Sequence, residues 1–585
     1  MSPMDEGSTV RKMPPKSSER FDFVVVGSGS AGSVLADRLS ADPATRVLVL
    51  DAGRPDSWWD AYVHIPAALG FPVGSRFHDW CYRSEPEPHL NGRRLAHARG
   101  KLLGGSSSIN AMVFQRGHPR DYDRWGAGPG MATWSYAHCL PYFKRLETSA
   151  VRSSEELRGY DGPQPLERAS ATDPLLLTLF LAALQAGHPQ STDTNGREPE
   201  GFAMWERTIA RGLRVSAARS FLHPAMHRSN LTVRTRTLVT KILFSGRRAV
   251  GVRCEDRSGR PFDVATGQVV LAGGAFNSPQ LLQLSGVGNA LELGALGIPV
   301  VHDLPAVGQH LQDHLVAKMQ HGCTQPITMD VLREKRRWPA IAIRWLLTRG
   351  GPAATNLYEA GAFLRTGPHV DYPDLMLGFA PAAMRFDPNV PDRGYQMIMA
   401  GMRAEARGSV TLSSADPHQP PALRFNYLST EADRRFWVDA VRTTRELLAQ
   451  PAFREIDGGE TYPGPAVESD QQILDWVTRT AETNMHPTST CRMGTDDRSV
   501  LDPATMQVHG LEGISVVDAS AMPHCPNSAT HAPTMMLAEK ASDLLLGNTP
   551  LAPQTPAAPP VTGSAVPHPR LPGVEAHPAS PRILK

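Results

Sequence analysis

Short apolar runs separated by glycine turns open the chain and predict alternating strands and helices. The run from Phe23 to Val26 is continuously apolar and predicts a buried parallel strand. Three glycines follow, and then SVLADRLS carries apolar residues at helical intervals. A second apolar run, RVLVL, ends at Asp51 and predicts the next strand. This order predicts an α/β fold built on a parallel sheet.

Alternation of apolar and polar residues marks a different region further along the chain. The segments GSVTL and ALRFNYL predict antiparallel strands, and EADRRFWVDAVRTTRELLAQ predicts a helix. PLLLTLFLAAL, from Pro174, is too short to span a bilayer and predicts a buried helix. Near the C-terminus, a buried strand from Ile514 to Val517 is followed by a loop and a helix from about Pro533. We therefore expect a second, α+β domain.

The composition is that of an ordinary globular protein with more than one domain. The 585 residues are 41% hydrophobic and 20% charged, and the net charge of +2 gives no reason to expect nucleic acid. Six scattered cysteines favour neither a disulfide framework nor a zinc or other metal site, and fit a reducing, cytoplasmic location. Residues 1–20 lack a signal peptide and predict a disordered arm, and residues 548–585 predict a proline-rich disordered tail.

The first glycine turn has the spacing that holds a dinucleotide. Gly27, Gly29 and Gly32 follow the pattern G-x-G-x-x-G, in which glycines turn the chain, admit a pyrophosphate and pack the helix on the strand. Asp51 stands where an acid accepts hydrogen bonds from a ribose diol. This unit alone does not separate NAD from FAD. Gly104 and Gly105, followed by three serines and the apolar INAMVF, predict a second turn that holds a polar ring system.

The segment NMHPTSTCRMG raises the question of catalysis. His486 precedes Pro487, so its backbone is held out of helical geometry. Taken alone, an ordinary loop histidine is the commoner meaning of such a residue. His531 lies on the loop before the last predicted helix. If the two loops meet, two imidazoles become available for acid–base chemistry near neutral pH.

The motifs together resemble the glucose–methanol–choline family of flavoprotein oxidoreductases, and most of all its choline dehydrogenase-like members. The matching segments are the N-terminal fingerprint, GKLLGGSSSINAMV, GAFNSPQLLQLSGVG, HLQDHL and VVDASAMP with APTMMLAEKASD. They occur in order along nearly the whole folded body. The resemblance implies a Rossmann-like FAD-binding domain formed by residues 21–147, 220–310 and 481–547. It implies a substrate-binding domain, built on an antiparallel sheet, formed by residues 148–219 and 311–480.

The resemblance also implies which residues hold FAD. They are Gly27, Ser28, Gly29, Ser30, Gly32, Asp51, Ala52, Leu102, Gly104, Gly105, Ser106, Asn110, Ala111, Met112, Val113, Val239, Asp518, Ala519, Pro533 and Thr534. Asp51 replaces the longer glutamate that the family usually has. Some members attach FAD through a histidine at the position of Ile109, which has no nucleophile, so we expect non-covalent FAD.

The implied reaction is oxidation of a primary alcohol to an aldehyde, with hydride transfer to flavin N5. His486 matches the catalytic base and His531 its partner, although the two roles could be shared or swapped. The expected acceptor is a quinone, a carrier or oxygen, not NAD, and the polar Asn484 favours a dehydrogenase. A flavin-containing lyase of the hydroxynitrile lyase type, or an oxygen-using alcohol oxidase, stays open as an alternative. Peripheral contact with a membrane also stays open.

Tyr358 and Glu359 lie where choline-oxidising members keep an aromatic residue and a glutamate. An aromatic face beside a carboxylate suits a quaternary ammonium group. A structural glutamate at a domain contact is an equally plausible meaning, because cation recognition normally needs several aromatic residues. Both choline and an uncharged primary alcohol therefore stay open as substrates.

Overall fold

The computed structural model describes residues 20–152, 156–169, 171–383 and 393–556. Contacts divide the chain into a compact unit, Met1–Gln554, and a short second unit, Thr555–Lys585. All helices and strands of the described residues belong to the first unit. The arm predicted for residues 1–20 and the tail predicted for residues 548–585 lie largely outside the described residues.

The element bounds confirm the α/β class. The longer strands are β1 Phe21–Val26, β2 Val47–Leu50, β3 Gly201–Met204, β4 Leu231–Arg234, β5 Leu238–Ser245, β6 Arg248–Glu255, β7 Pro261–Leu271, β8 Gln309–Leu311, β9 Leu315–Cys323, β10 Ala360–Leu364, β11 Leu375–Ala380, β12 Gly394–Gly401, β13 Gly408–Thr411, β14 Ala422–Arg424, β15 Asp457–Tyr462 and β16 Ile514–Val516. The longer helices are α1 Ser30–Leu39, α2 Pro119–Gly126, α3 Tyr136–Leu146, α4 Pro174–Gln185, α5 Gly274–Leu284, α6 Trp338–Thr348, α7 Glu431–Leu448, α8 Asp470–Thr480 and α9 His531–Leu546.

The first sheet has a parallel part and an antiparallel part. Strands β4, β2, β1, β7 and β16 lie side by side and run parallel. The long strand β7 continues into an antiparallel meander with β6 and β5. Helices α1 and α9 pack against each other. The predicted order of strand, glycine turn, helix and strand is confirmed, and it places the turn at the carboxyl ends of the parallel strands.

The second large sheet is antiparallel and has the strand order β15, β9, β12, β11, β10, β3. The segments GSVTL and ALRFNYL contain β13 and β14, which pair with each other in a separate small sheet, where β13 also pairs with β8. The strands of the two large sheets come from different stretches of the chain. Their division into an FAD-binding and a substrate-binding domain stays a prediction.

Helix α4 differs from the sequence prediction because it is buried on one side only. Leu175, Leu176 and Leu179 are buried in the core, whereas Leu177 and Leu181 are exposed. An all-apolar helix cannot reveal from its sequence which face will meet the core. Within the described residues, no helix is both long and apolar enough to cross a membrane.

A cluster of buried ion pairs stabilises the part of the chain that directly follows the second glycine segment. The Arg116 guanidinium donates to Glu147 at 2.6 Å. Arg158 donates to Glu147 at 2.7 Å and to Asp193 at 2.8 Å, and also contacts Glu206. All five side chains are almost fully buried. Because buried charges are stable only when paired, this cluster anchors the chain at Arg116.

Replacing Arg158 tests this cluster. Arg158→Met leaves buried carboxylates without a cation, and we expect the free energy of unfolding to fall by about 3–5 kcal/mol. Denaturant unfolding of the variant measures the change. Arg248→Met is the matched control, because Arg248 pairs with Glu512 at the exposed surface and such pairs contribute about 1 kcal/mol or less. Equal effects of the two substitutions would contradict the structural role of the cluster.

Candidate active site

One large cavity, of about 660 Å³, is bounded by segments of both large sheets. Its size lies within the range of roughly 300–1,000 Å³ that small-molecule and cofactor sites occupy. Most of the residues predicted to bind the cofactor and substrate line it. They are Gly27, Ser28, Gly29, Ser30, Asp51, Ala52, Gly105, Ser106, Asn110, Ala111, Met112, Val113, Val239, Tyr358, His486, Asp518, Ala519, His531 and Thr534.

The first glycine turn places the start of helix α1 at one end of the cavity. Gly27 has a φ of +102°, and a Cβ there would lie 2.6 Å from the carbonyl oxygen of Ala272. Gly29 precedes the first turn of α1 and no side chain caps it. The helix amides beside it can therefore face an anionic group. Gly32 does not line the cavity, because it packs against Gly27, whose carbonyl oxygen a Cβ would meet at 1.9 Å.

The Asp51 carboxylate is held by the glycine turn itself. It accepts hydrogen bonds from the backbone N–H of Ser28 at 2.9 Å, the Ser28 hydroxyl at 2.6 Å and the N–H of Gly53 at 2.7 Å. Burial raises the pKa of Asp51, and the hydrogen bonds from Ser28 and Gly53 oppose that shift. Ser28 uses both lone pairs of Oδ2, whereas Oδ1 accepts the Gly53 N–H and keeps a second lone pair that a hydroxyl of a bound ligand can use.

The second glycine segment forms a side wall of the cavity. Asn110 is fixed by Arg214, whose guanidinium donates to the Asn110 carbonyl oxygen at 2.6 Å and to its side-chain oxygen at 2.7 Å. Met112 has a φ of +62° and its N–H donates to the same side-chain oxygen. Leu102 and Gly104 do not line the cavity. Leu102 lies in a buried apolar cluster, and Gly104, with a φ of +84°, donates its N–H to Ser28.

The loop after strand β16 and the start of helix α9 form another side of the cavity. Asp518, beyond β16, accepts hydrogen bonds from the N–H of Gly274 at 2.8 Å and the hydroxyl of Ser278 at 2.6 Å. It therefore ties this loop to the start of α5. Helix α9 begins at His531, two residues before the predicted start. Pro533 is buried in its first turn and does not line the cavity, whereas Thr534 does.

The two histidines lie on separate loops and line the same cavity. The backbone N–H of His486 donates to Asp313 at 2.7 Å, and its Nδ1 lies 3.0 Å from the Nδ1 of His314. The Nδ1 of His531 lies 2.8 Å from the Ser30 hydroxyl. Each ring is thus oriented through its Nδ1, which leaves Nε2 as the atom available for a ligand.

Burial keeps both imidazoles neutral. It lowers the pKa of His486 well below the usual value, and the charges of His314 and Arg99 add to this shift. Burial lowers the pKa of His531 to about 4, and the nearby Arg214 contributes. Both rings can therefore accept a proton at neutral pH. Only one of two nitrogens facing each other carries a hydrogen, so His314 and His486 must hold complementary tautomers.

The second sheet supplies an apolar end to the cavity. Trp205, Tyr358, Met376 and Ile398 line this part. The ion pair between Lys318 and Glu482, at 2.6 Å, also lines it. The charged groups here are therefore paired with each other.

The structure corrects the expectation for Glu359. Its carboxylate accepts hydrogen bonds from Arg207 at 2.8 Å and from the Thr355 hydroxyl at 2.7 Å, and it does not line the cavity. This pairing favours the structural role for Glu359 that was the alternative in the sequence analysis. Its neighbour Tyr358 does line the cavity.

Two polar atoms in the cavity wall fit a bound polar group. Within the described residues, no protein atom forms a hydrogen bond with Nε2 of His531 or with Nδ2 of Asn484, although both atoms are buried. A buried donor or acceptor is costly when it is unpaired. Together with the free amides beside Gly29 and the acceptor at Asp51, these atoms suit a dinucleotide that carries a polar ring.

A parallel sheet with a dinucleotide turn, joined to a cavity that contains two neutral imidazoles, defines a nucleotide-dependent oxidoreductase. Family models described as GMC oxidoreductase match residues 21–316 and 404–538. The chain is 49% identical over 543 residues to oxygen-dependent choline dehydrogenase of Staphylococcus aureus (strain JH9), covering 92% of this chain and 95% of the relative.

Solved structures agree with this assignment. Pyridoxine 4-oxidase from Mesorbium loti superposes with a TM-score of 0.82 at 30% identity, covering 91% of this chain and 100% of that chain. A formate oxidase variant of Aspergillus oryzae RIB40, described in terms of the effect of its mutation on FAD modification, superposes with a TM-score of 0.85 at 26% identity over 91% and 99% of the two chains. The chain belongs to the GMC oxidoreductase family. It is an FAD-dependent enzyme that oxidises alcohols at CH–OH groups.

Several residues of the site were missed by the sequence analysis. Asp313 and His314 lie within the segment HLQDHL, which was noted as a motif without a role for either residue. Arg214, Lys318 and Glu482 lie in segments that carry no motif. Their positions depend on pairing between distant strands, and a single sequence gives no signal for it.

Replacing Asp51 tests the cofactor end of the cavity. Asp51→Ala removes the acceptor for two buried N–H groups, and we expect affinity for FAD to fall roughly tenfold to a hundredfold. Flavin fluorescence during titration of the apoprotein measures the affinity. Asp51→Glu is the matched control and should retain FAD, because it keeps the carboxylate. Unchanged affinity in the alanine variant would exclude Asp51 from the cofactor site.

Proposed function

We propose that the protein oxidises a primary alcohol to the aldehyde, with His486 as the base and His531 as its hydrogen-bonding partner. The observation that carries this proposal is the presence of two buried, neutral imidazoles on separate loops of one cavity. An alcohol is a weak acid, so a positioned base assists removal of its proton. A second donor stabilises the developing negative charge on oxygen.

The hydrogen bonds on Nδ1 suggest how the two roles are divided. If Nδ1 of His486 donates to His314, Nε2 of His486 carries a free lone pair for the hydroxyl proton. If the Ser30 hydroxyl donates to Nδ1 of His531, Nε2 of His531 carries the hydrogen and can donate to the alcohol oxygen. His314 and Ser30 are then positioning residues. FAD, when bound, supplies the acceptor for the hydride that leaves carbon.

We propose that the first sheet holds FAD and that the second sheet covers the alcohol. The free amides at the start of α1 suit the pyrophosphate, and Asp51 suits the ribose. The first turn of α9 suits a ring carbonyl that becomes anionic on reduction. Attachment is non-covalent, because Ile109 lines the cavity with an inert side chain.

The charges of the cavity favour an uncharged alcohol. Glu482, the carboxylate at the apolar end, is paired with Lys318, and Glu359 is paired with Arg207. Trp205 and Tyr358 offer aromatic surface but no free negative charge. A quaternary ammonium group would therefore have to compete with Lys318. Choline is the second candidate, because several curated relatives at 49% identity are choline dehydrogenases.

The proposed acceptor is a quinone or a carrier rather than NAD. Asn484 lies in the cavity wall two residues before His486, so the polar amide is placed beside the base. This placement supports the preference for a dehydrogenase over an oxygen-using oxidase.

A panel of alcohols tests the proposal. Without oxygen, an uncharged primary alcohol should abolish the visible absorbance of oxidised flavin, and choline should do so more slowly at equal concentration. Stopped-flow absorbance gives the rate for each alcohol. Consumption of substrate while the absorbance persists would show a lyase instead. A clear preference for choline would contradict the argument from Lys318.

Replacing His486 tests the base. His486→Ala should still bind FAD, because the residues proposed to hold the pyrophosphate and ribose lie on other segments of the chain. Flavin reduction by the alcohol should slow by roughly 10²–10⁴-fold. Anaerobic single-turnover absorbance measures this rate. His227→Ala, at an exposed position, serves as the control and should reduce flavin normally. A near-normal rate in the first variant would remove His486 from the mechanism.

A further inference from the structure

An exposed apolar surface lies on helix α6 and on the segment 58–77. Large apolar side chains normally lie inside, and a continuous exposed group of them marks an interaction site. Trp58 is 85% exposed and Leu347 is 81% exposed. The residues that define this apolar surface are Trp58, Trp59, Phe71, Trp338, Leu346 and Leu347.

The two segments form one surface. The ring of Phe71 meets the ring of Trp338 edge-on, with 5.9 Å between centroids, and Tyr62 stacks on Phe71 at 5.0 Å. Trp345, on the opposite side of α6, is buried, and its indole N–H donates to the Gly212 carbonyl at 2.8 Å. The helix is therefore fixed to the protein by one face, and its other apolar side chains are left pointing outward.

The apolar surface is flanked by excess positive charge. Residues 330–349 contain six basic side chains and two acidic ones. Arg336 and Arg337 share the single carboxylate of Glu334, at 2.9 Å each. Lys335 and Arg344 are exposed beside them, and Arg349 stacks on Trp345. The partner of this surface must therefore offer apolar groups and negative charge together.

We propose that the apolar surface docks onto a lipid bilayer that contains anionic headgroups. A short helix with exposed Trp and Leu side chains and neighbouring basic residues lies in the plane of such an interface. Tryptophan favours the headgroup level, and each basic residue gains from anionic lipid. A symmetric contact between two copies is disfavoured, because it would bring two positively charged rims together.

The docked surface adjoins the catalytic cavity. Leu69 and Val73 belong to the segment between Tyr62 and Phe77, and both line the cavity. A bilayer bound to the apolar surface would thus lie beside the wall of the active site. The docking itself depends only on the surface and not on the proposed chemistry.

Flotation of the full-length, FAD-loaded protein with vesicles tests the proposal. We expect it to float with vesicles of phosphatidylcholine and phosphatidylglycerol, and to bind pure phosphatidylcholine several-fold less. Leu346→Gln combined with Leu347→Gln should reduce the bound fraction by roughly tenfold or more, because both side chains would be buried in lipid. High salt should also weaken binding.

Helix α4 offers a matched control. Its Leu177 and Leu181 are also exposed, but no lysine or arginine lies within Pro174–Gln185. Leu177→Gln combined with Leu181→Gln should leave vesicle binding unchanged, and both double variants should reduce flavin with soluble alcohols at the normal rate. Absence of binding to anionic vesicles would overturn the proposal. A dimer in sedimentation experiments that only the α6 variant abolishes, without vesicle binding, would assign the surface to a second copy.

Discussion

The buried carboxylate of Asp313 fixes the loop that carries His486, the proposed base. One of its oxygens accepts the backbone N–H of His486. The other accepts the hydroxyl groups of Tyr427 and Thr483. Since Pro487 already holds His486 out of helical geometry, these contacts leave the imidazole little freedom. Three distant segments therefore meet at one carboxylate, and the orientation of His486 depends on it.

The burial that makes this arrangement rigid also sets its chemistry. Desolvation disfavours the charged form of an imidazole, so His486 and His531 lie in the cavity wall as neutral rings. A neutral ring has one nitrogen that donates and one that accepts, and His314 and Ser30 stand at the Nδ1 atoms. The same low-polarity surroundings strengthen each hydrogen bond to a reacting oxygen. The burial of His486 and His531 thus accounts for the position, the protonation state and the tautomer of both rings.

Sequence patterns predicted those elements whose structure depends on residues close together in the chain. The glycine turn after β1, the helix after it and Asp51 could be predicted because spacing along the chain fixes their geometry. Glu359 could not, because its pairing with Arg207 joins residues that are distant in sequence. The exposed face of α4 was missed for a related reason. A helix with leucine on every side has no periodicity that could indicate its buried face.

The segment between β2 and the second glycine turn joins the cavity to the exposed apolar surface. Its backbone is held by two carboxylates: Asp60 accepts from His78 at 2.8 Å, and Asp79 accepts from the N–H of Gly74 at 2.7 Å and of Arg99 at 2.9 Å. Such buried polar contacts cost free energy when broken, so they stabilise the conformation of this loop. The aromatic side chains of the segment 58–77 are exposed, whereas Leu69 and the partly exposed Val73 line the cavity. One loop thus provides both a wall of the cavity and part of the exposed apolar surface. A partner that binds the apolar surface therefore also contacts a loop that lines the cavity.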